Sequence, residues 1–167
     1  FIPSYAEENL KGKEEGRKFA DDIFNLLLYI LIILIIIVEI FTPFVVYLIA
    51  PGFYENAEKF NLAIEFTRIT FPFLLFVSLS SMLSGILNTN NKFAAAAAAP
   101  IVLNIVLILS LLFSFHFEMN IAKNLSIGVT FAGILQFLLL IIFTKKFYLP
   151  SLKIIFKLGE NLKNFFK

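Results

Sequence analysis

A few side chains in this sequence have chemistry to offer from within otherwise apolar stretches: Arg68 with Glu65 nearby, Glu39, Asn104 and Gln136. A guanidinium is a fixed fork of donors suited to carboxylate or phosphate. A carboxylate surrounded by hydrocarbon must be protonated or paired, which is what a proton-coupling group requires. Amides in such places bond across helices. Covalent chemistry has no foothold. The chain has no cysteine and one histidine, His116, which excludes disulfides, thiolate metal sites, cysteine nucleophiles and multi-histidine metal centres. No nucleophile–base pair, phosphate-cradling glycine loop or metal cluster can be assembled, so neither an enzyme nor a cofactor is expected. A net charge of +2 over 167 residues leaves no nucleic-acid footprint.

The elements that must position these groups follow from hydropathy. The chain is 59% hydrophobic and 16% charged, with a mean hydropathy of +0.88. A soluble domain is nearer half apolar and a quarter charged. Four apolar stretches, residues 23–49, 62–87, 93–117 and 125–144, are each near or above the ~20 residues that cross a ~30 Å hydrocarbon core. Their β-branched residues favour strands in water, but an open strand in lipid leaves its backbone unsatisfied, so helix is expected. The fold class is therefore all-α, a polytopic transmembrane bundle of four helices. Residues 145–167 are not a fifth span. Ile155, Leu158, Leu162, Phe165 and Phe166 recur at helical spacing opposite Lys153, Lys157, Glu160 and Lys163, the pattern of an amphipathic helix lying in the headgroup layer.

Basic residues in the connections set the orientation. Lys11, Lys13, Arg17 and Lys18 precede the first span, Lys92 lies in the second connection, and Lys145, Lys146, Lys153, Lys157, Lys163 and Lys167 follow the fourth span. The opposite side has Lys59 and Lys123 alone. Both ends are thus expected in the cytoplasm: 1–22 as the end of an earlier helix plus a loop, 88–92 as a cytoplasmic loop, 50–61 and 118–124 as periplasmic loops. The opening Phe1-Ile2-Pro3 reads like a helix end, so further residues are expected before Phe1 and after Lys167.

Two readings fit each charged candidate. Arg68 is either a rim cation neutralised by Glu65 three residues earlier on the same helical face, or a cationic group at the mouth of a cavity that receives an anionic headgroup. Glu39 is either a coupling carboxylate or an interfacial residue of a span longer than the hydrocarbon is thick. Asn104 and Gln136 are either ligands or inter-helix glue. Pro43, Pro72 and Pro100 fall in three of the four spans, and each removes a backbone donor and marks a kink. Three such breaks in neighbouring helices suggest movable elements around a cavity, as transporters use. Ser80 with Ser84, Ser81 with Gly85, and Gly128 with Ala132 are spaced for close helix approach.

The order of short motifs is more specific than any one of them. Phe1-Ile-Pro-Ser-Tyr, Ala50-Pro-Gly-Phe, Arg68-Ile-Thr-Phe-Pro, Ser78-Leu-Ser-Ser, Gly85-Ile-Leu-Asn, Asn91-Lys-Phe and Pro100-Ile-Val-Leu-Asn-Ile occur collinearly. In this order and spacing the chain resembles the MurJ (MviN) family of lipid II flippases, within the multidrug/oligosaccharidyl-lipid/polysaccharide exporter superfamily. The likeness covers nearly the whole chain, is strongest over 50–105 and weakens after Lys145. It departs at the alanine run 94–99, where family members carry a proline among small residues.

The resemblance implies spans three to six of the amino-terminal lobe of a fourteen-helix protein in the bacterial inner membrane. It implies alternating access that moves an undecaprenyl-pyrophosphate-linked disaccharide-pentapeptide, with membrane lipids and the remaining helices as partners. The family's best-known arginines and acid belong to spans outside this stretch. Within it, Arg68 and Asn104 match a usually basic position and the asparagine of the Pro-x-x-x-Asn motif on a cavity-lining span. Two other functions compete: a sister flippase for O-antigen or another polysaccharide–lipid repeat, and a membrane scaffold without transport.

The topology is directly testable because no native cysteine interferes within this chain. In a membrane-impermeant maleimide assay on intact cells, Tyr54→Cys is expected to label from outside and Asn90→Cys only after permeabilisation. Equal labelling of the two from one side would dismiss the four-span arrangement.

Overall fold

Hydrocarbon offers a peptide group nothing to bond, so the apolar stretches must close their hydrogen bonds internally. The computed structural model, which describes residues 1–152, does this with helix, and no strand occurs among those residues. The helices are α1 (Ile2–Lys11), α2 (Lys13–Ile49), α3 (Ala57–Thr70), α4 (Phe73–Thr89), α5 (Phe93–His116) and α6 (Ile121–Thr144), with a 3-10 turn at Pro51–Glu55. Four stretches are long and apolar enough to cross a membrane: Lys13–Ile49, Ala57–Thr89 (α3 and α4 together), Phe93–His116 and Ile121–Thr144. The all-α expectation holds. Of the amphipathic segment expected over 145–167, residues 153–167 lie outside the described residues; Lys145–Phe147 form a turn and 148–152 are irregular.

Helix boundaries differ from the apolar stretches because capping, rather than hydropathy, starts a helix. Asn56 accepts a hydrogen bond from Lys59 N at 3.0 Å, so α3 begins five residues before the apolar run at Leu62. Asn120 does the same for α6 through Lys123 N, also at 3.0 Å. At the amino end, where the end of an earlier helix and a loop were expected, α1 and α2 form a helical hairpin around Gly12. Gly16 makes that hairpin possible: a Cβ there would stand 3.0 Å from the Asn9 Cα, on backbone that has nowhere to go. The α4–α5 turn closes with Lys92 N on Leu87 O at 2.9 Å and Asn91 N on Asn88 O at 3.1 Å. This is a Schellman pattern with Asn91 in the left-handed position at φ 58°.

Helix α6 packs against α3, α4 and α5, while α2 packs against α1, α3 and α4. The small residues serve this packing. A Cβ on Gly133 would meet the Phe73 ring at 2.7 Å and Phe76 Cβ at 3.2 Å, both on α4, and one on Gly128 would meet Ser110 of α5. The buried core gathers at one end of the bundle, where Tyr5, Phe19 and Phe24 meet Leu83, Ile86 and Leu87 of α4 with Leu140 of α6. By contrast α3 contains no buried residue.

A polar clasp closes that same end. Buried Tyr148, just after α6, donates its hydroxyl to Asp21 Oδ1 of α2 at 2.9 Å, and Ser151 N donates to the same oxygen at 3.1 Å. Asn25 Nδ2 donates to the carbonyls of Asp21 and Ser151, each at 2.8 Å. Burial, reinforced by the adjacent Asp21 carboxylate, holds the Tyr148 phenol well above the usual tyrosine range, against a smaller opposing pull from Arg17.

Three outcomes follow for stability, all read by denaturation in detergent. Gly133→Val is expected to cost ~1–3 kcal/mol by overpacking the α4–α6 seam. Gly52→Ala, with nothing within 4 Å of the added carbon, is expected to be silent. Tyr148→Phe is expected to cost ~1–3 kcal/mol near neutral pH by removing a donor from buried Asp21. A phenol pKa raised by folding contributes stability below the unfolded value of about 10 and loses it as pH rises beyond. The gap between wild type and Tyr148→Phe should therefore narrow above that pH.

Candidate functional site

Proline shapes the site. Pro43 has no N–H for the carbonyl four residues back, that of Glu39. The preceding Phe41 leaves helical geometry at φ −98°, ψ 17°, so α2 bends there. Thr42 repairs the gap: its hydroxyl hydrogen is shared between Val38 O at 2.7 Å and Glu39 O at 3.0 Å. Pro72 ends α3 and starts α4, leaving the Arg68 carbonyl without its ordinary donor. Thr130 of α6 reaches across and donates to the neighbouring Ile69 carbonyl. Pro100 behaves differently, since α5 runs as one helix through it.

Arg68 joins the two breaks. Its Nε donates to Thr42 Oγ1 at 3.4 Å. Thr42 is fully buried, whereas Arg68 is exposed. Because α3 begins at Ala57, Arg68 lies about three turns, roughly 16 Å, along its helix rather than the two turns that hydropathy suggests. Measured along α2, its contact at Thr42 is seven residues, roughly 10 Å, inside the helix end at Ile49.

The pairing of Arg68 with Glu65 is not what the structure contains. Glu65 Oε1 instead stands 2.8 Å from Lys123 Nζ of α6, both half exposed. The two acceptable partners of Glu65 lie on different helices, and the helix α6 that carries Lys123 is in packing contact with α3. Among the described residues Arg68 has no ion pair, and its side-chain hydrogen bond engages Nε alone. The terminal guanidinium nitrogens thus make no side-chain hydrogen bond or ion pair among the described residues.

The remaining candidates are dispersed. Glu39 is half-buried, with its carbonyl rather than its carboxylate engaged at the α2 bend. Asn104 is exposed on α5. Gln136 is buried on α6 with Oε1 unpartnered, as is Ser80 Oγ on α4. His116 is the last residue of α5 and sits edge-on to Phe117 at 4.8 Å. No group of three or more histidines, cysteines or acids able to hold a metal occurs among the described residues. Sequence reasoning missed Thr42 and Thr130. The available signal was a hydroxyl beside or facing each proline break, since a freed carbonyl needs a donor. It also missed the clasp residues Asp21, Asn25, Tyr148 and Ser151, which are distant in sequence. Beside that clasp a cavity of about 700 Å³ is lined by Lys13, Arg17 and Lys18 together with Glu14, Glu15 and Asp21.

Comparison with known proteins gives this geometry a family. The family model for lipid II flippase MurJ matches residues 1–167. A probable lipid II flippase MurJ of Rickettsia prowazekii is 44% identical over 147 residues, 87% of this chain and 29% of the relative. A probable lipid II flippase MurJ of Rhizobium tropici is 38% identical over 81% of this chain and 26% of the relative. The lipid II flippase MurJ of Burkholderia cenocepacia is 33% identical over 83% of this chain and 27% of the relative. The chain thus spans less than a third of the length of these relatives. The matched length, the four apolar helices and the agreement of these relatives lead to one conclusion: the chain belongs to the MurJ lipid II flippase family.

Proposed function

We propose that this chain supplies four spans of an inner-membrane lipid II flippase, in which Arg68 meets the anionic headgroup and the two proline breaks permit alternating access. The observation that carries the reading is the match of the flippase family model to the entire chain. The geometry supports it at one point above others: an exposed guanidinium, with no carboxylate partner among the described residues, stands where two bent helices touch. A pyrophosphate bears adjacent oxygen acceptors that the planar guanidinium fork can engage in pairs. Positioning and charge neutralisation suffice for this task, because moving a lipid across a bilayer breaks no bond.

The orientation we assign follows the basic connectors, with the core and clasp at the cytoplasmic end and the 3-10 turn outside. The wide apolar faces of α2 and α5, bearing exposed Ile33, Ile36, Ile40, Ile105 and Ile108, are too extensive for water. In this reading they meet acyl chains and the other helices of the transporter. Asn104 on α5 and Gln136 on α6 are assigned as secondary polar contacts, Asn104 toward the cavity and Gln136 within the bundle.

The test is complementation of a flippase-depleted strain by the full-length protein that carries this chain. Arg68→Ala removes charge-assisted hydrogen bonds of ~1.5–3 kcal/mol and is expected to slow lipid II movement roughly 10- to 100-fold. Lys59→Ala, exposed in the first turn of α3, is expected to behave as wild type. Equal rescue by both variants would remove Arg68 from the site, and rescue of O-antigen export instead would reassign the substrate.

A further inference from the structure

Thr42 takes part in two interactions at once. Serine and threonine hydroxyls often bond back to a carbonyl of their own helix, and Thr42 does so at the bend of α2. Its oxygen also accepts from a second helix, through Arg68 Nε. A hydroxyl has one hydrogen and two lone pairs, so it can serve both at once. We infer that Thr42 is a positioning residue that couples the Arg68 guanidinium to the bend of α2.

The coupling runs in both directions. The guanidinium fixes the hydroxyl in the rotamer that patches Val38 and Glu39, and the patched bend fixes where the guanidinium is presented. At 3.4 Å the contact lies at the long edge of hydrogen-bond geometry, so an anion drawing on the same guanidinium competes with it effectively. The helix that carries Arg68 buries no residue, which lets it shift without breaking a core. An anion captured at Arg68 therefore releases Thr42 and changes the bend. That last step rests on the flippase reading above, whereas the coupling of Thr42 to the bend does not.

The experiment uses the full-length protein carrying this chain, in lipid nanodiscs, with spin labels at Leu48 on α2 and Phe115 on α5, both exposed. A change of ~20° in the bend moves the ~10 Å arm beyond Thr42 by about 3 Å, which pulsed dipolar spectroscopy reads. Thr42→Val and Arg68→Gln are each expected to shift the distance by that amount, the double variant by no more than either, and Thr42→Ser not at all. Undecaprenyl pyrophosphate is expected to shift the wild type in the same sense and to leave Arg68→Gln unmoved. An unshifted distance in Arg68→Gln, additive single shifts, or a Thr42→Ser that behaves as Thr42→Val would overturn the coupling. Should Thr42→Val not insert, Arg68→Gln and Thr42→Ser decide the matter. A shift in Arg68→Gln with no response to undecaprenyl pyrophosphate would keep the coupling and reject Arg68 as the headgroup contact.

Discussion

A carbonyl with no donor is costly for a helix to carry into a bilayer, and the middle of this bundle is arranged around two of them. Pro43 and Pro72 each strip a donor from the turn before. Water is absent there, so the deficit must be met by side chains or neighbouring helices. Thr42 meets the first from its own helix, and Thr130 of α6 serves the carbonyl beside the second. Because Arg68 lies one turn ahead of Pro72 and touches Thr42, the two breaks stand side by side. A charged residue, two hydroxyls and two bends are thereby gathered into one layer by backbone chemistry alone.

This layer explains why the charges are distributed as they are. Lys123 and Glu65 neutralise each other on the α3–α6 flank, so Arg68 remains as a cation without a counter-charge among the described residues. An unpaired guanidinium within a span is costly, and the anionic headgroup proposed above would supply its missing counter-charge. The absence of buried residues in α3 matches that role, because a segment that must respond to a ligand cannot also be locked into a core.

Much of the architecture was legible from hydropathy. Four apolar stretches became four spans, and helix was forced over strand by the demands of lipid. The family was legible too, because collinear motifs survive where individual residues drift. The helix starts were hidden, since Asn56 and Asn120 begin their helices in polar sequence that reads as loop. The Arg68–Glu65 pairing failed for a related reason. Spacing of three along one helix identifies neighbours on a surface, but a lysine from another helix offers Glu65 a direct contact at 2.8 Å that no linear pattern encodes. The three prolines also differ: Phe41 leaves helical geometry just before Pro43, Pro72 separates α3 from α4, and α5 continues through Pro100.

The clasp between Asp21, Asn25, Tyr148 and Ser151 has a mechanical meaning for the whole unit. It ties the chain leaving the last span to the first turns of the first long one, so the helices are bound like the arms of tweezers at the joint. Arms fastened at one end can separate only at the other. Any relative motion of α2 and α6 must therefore grow with distance from the fastened end.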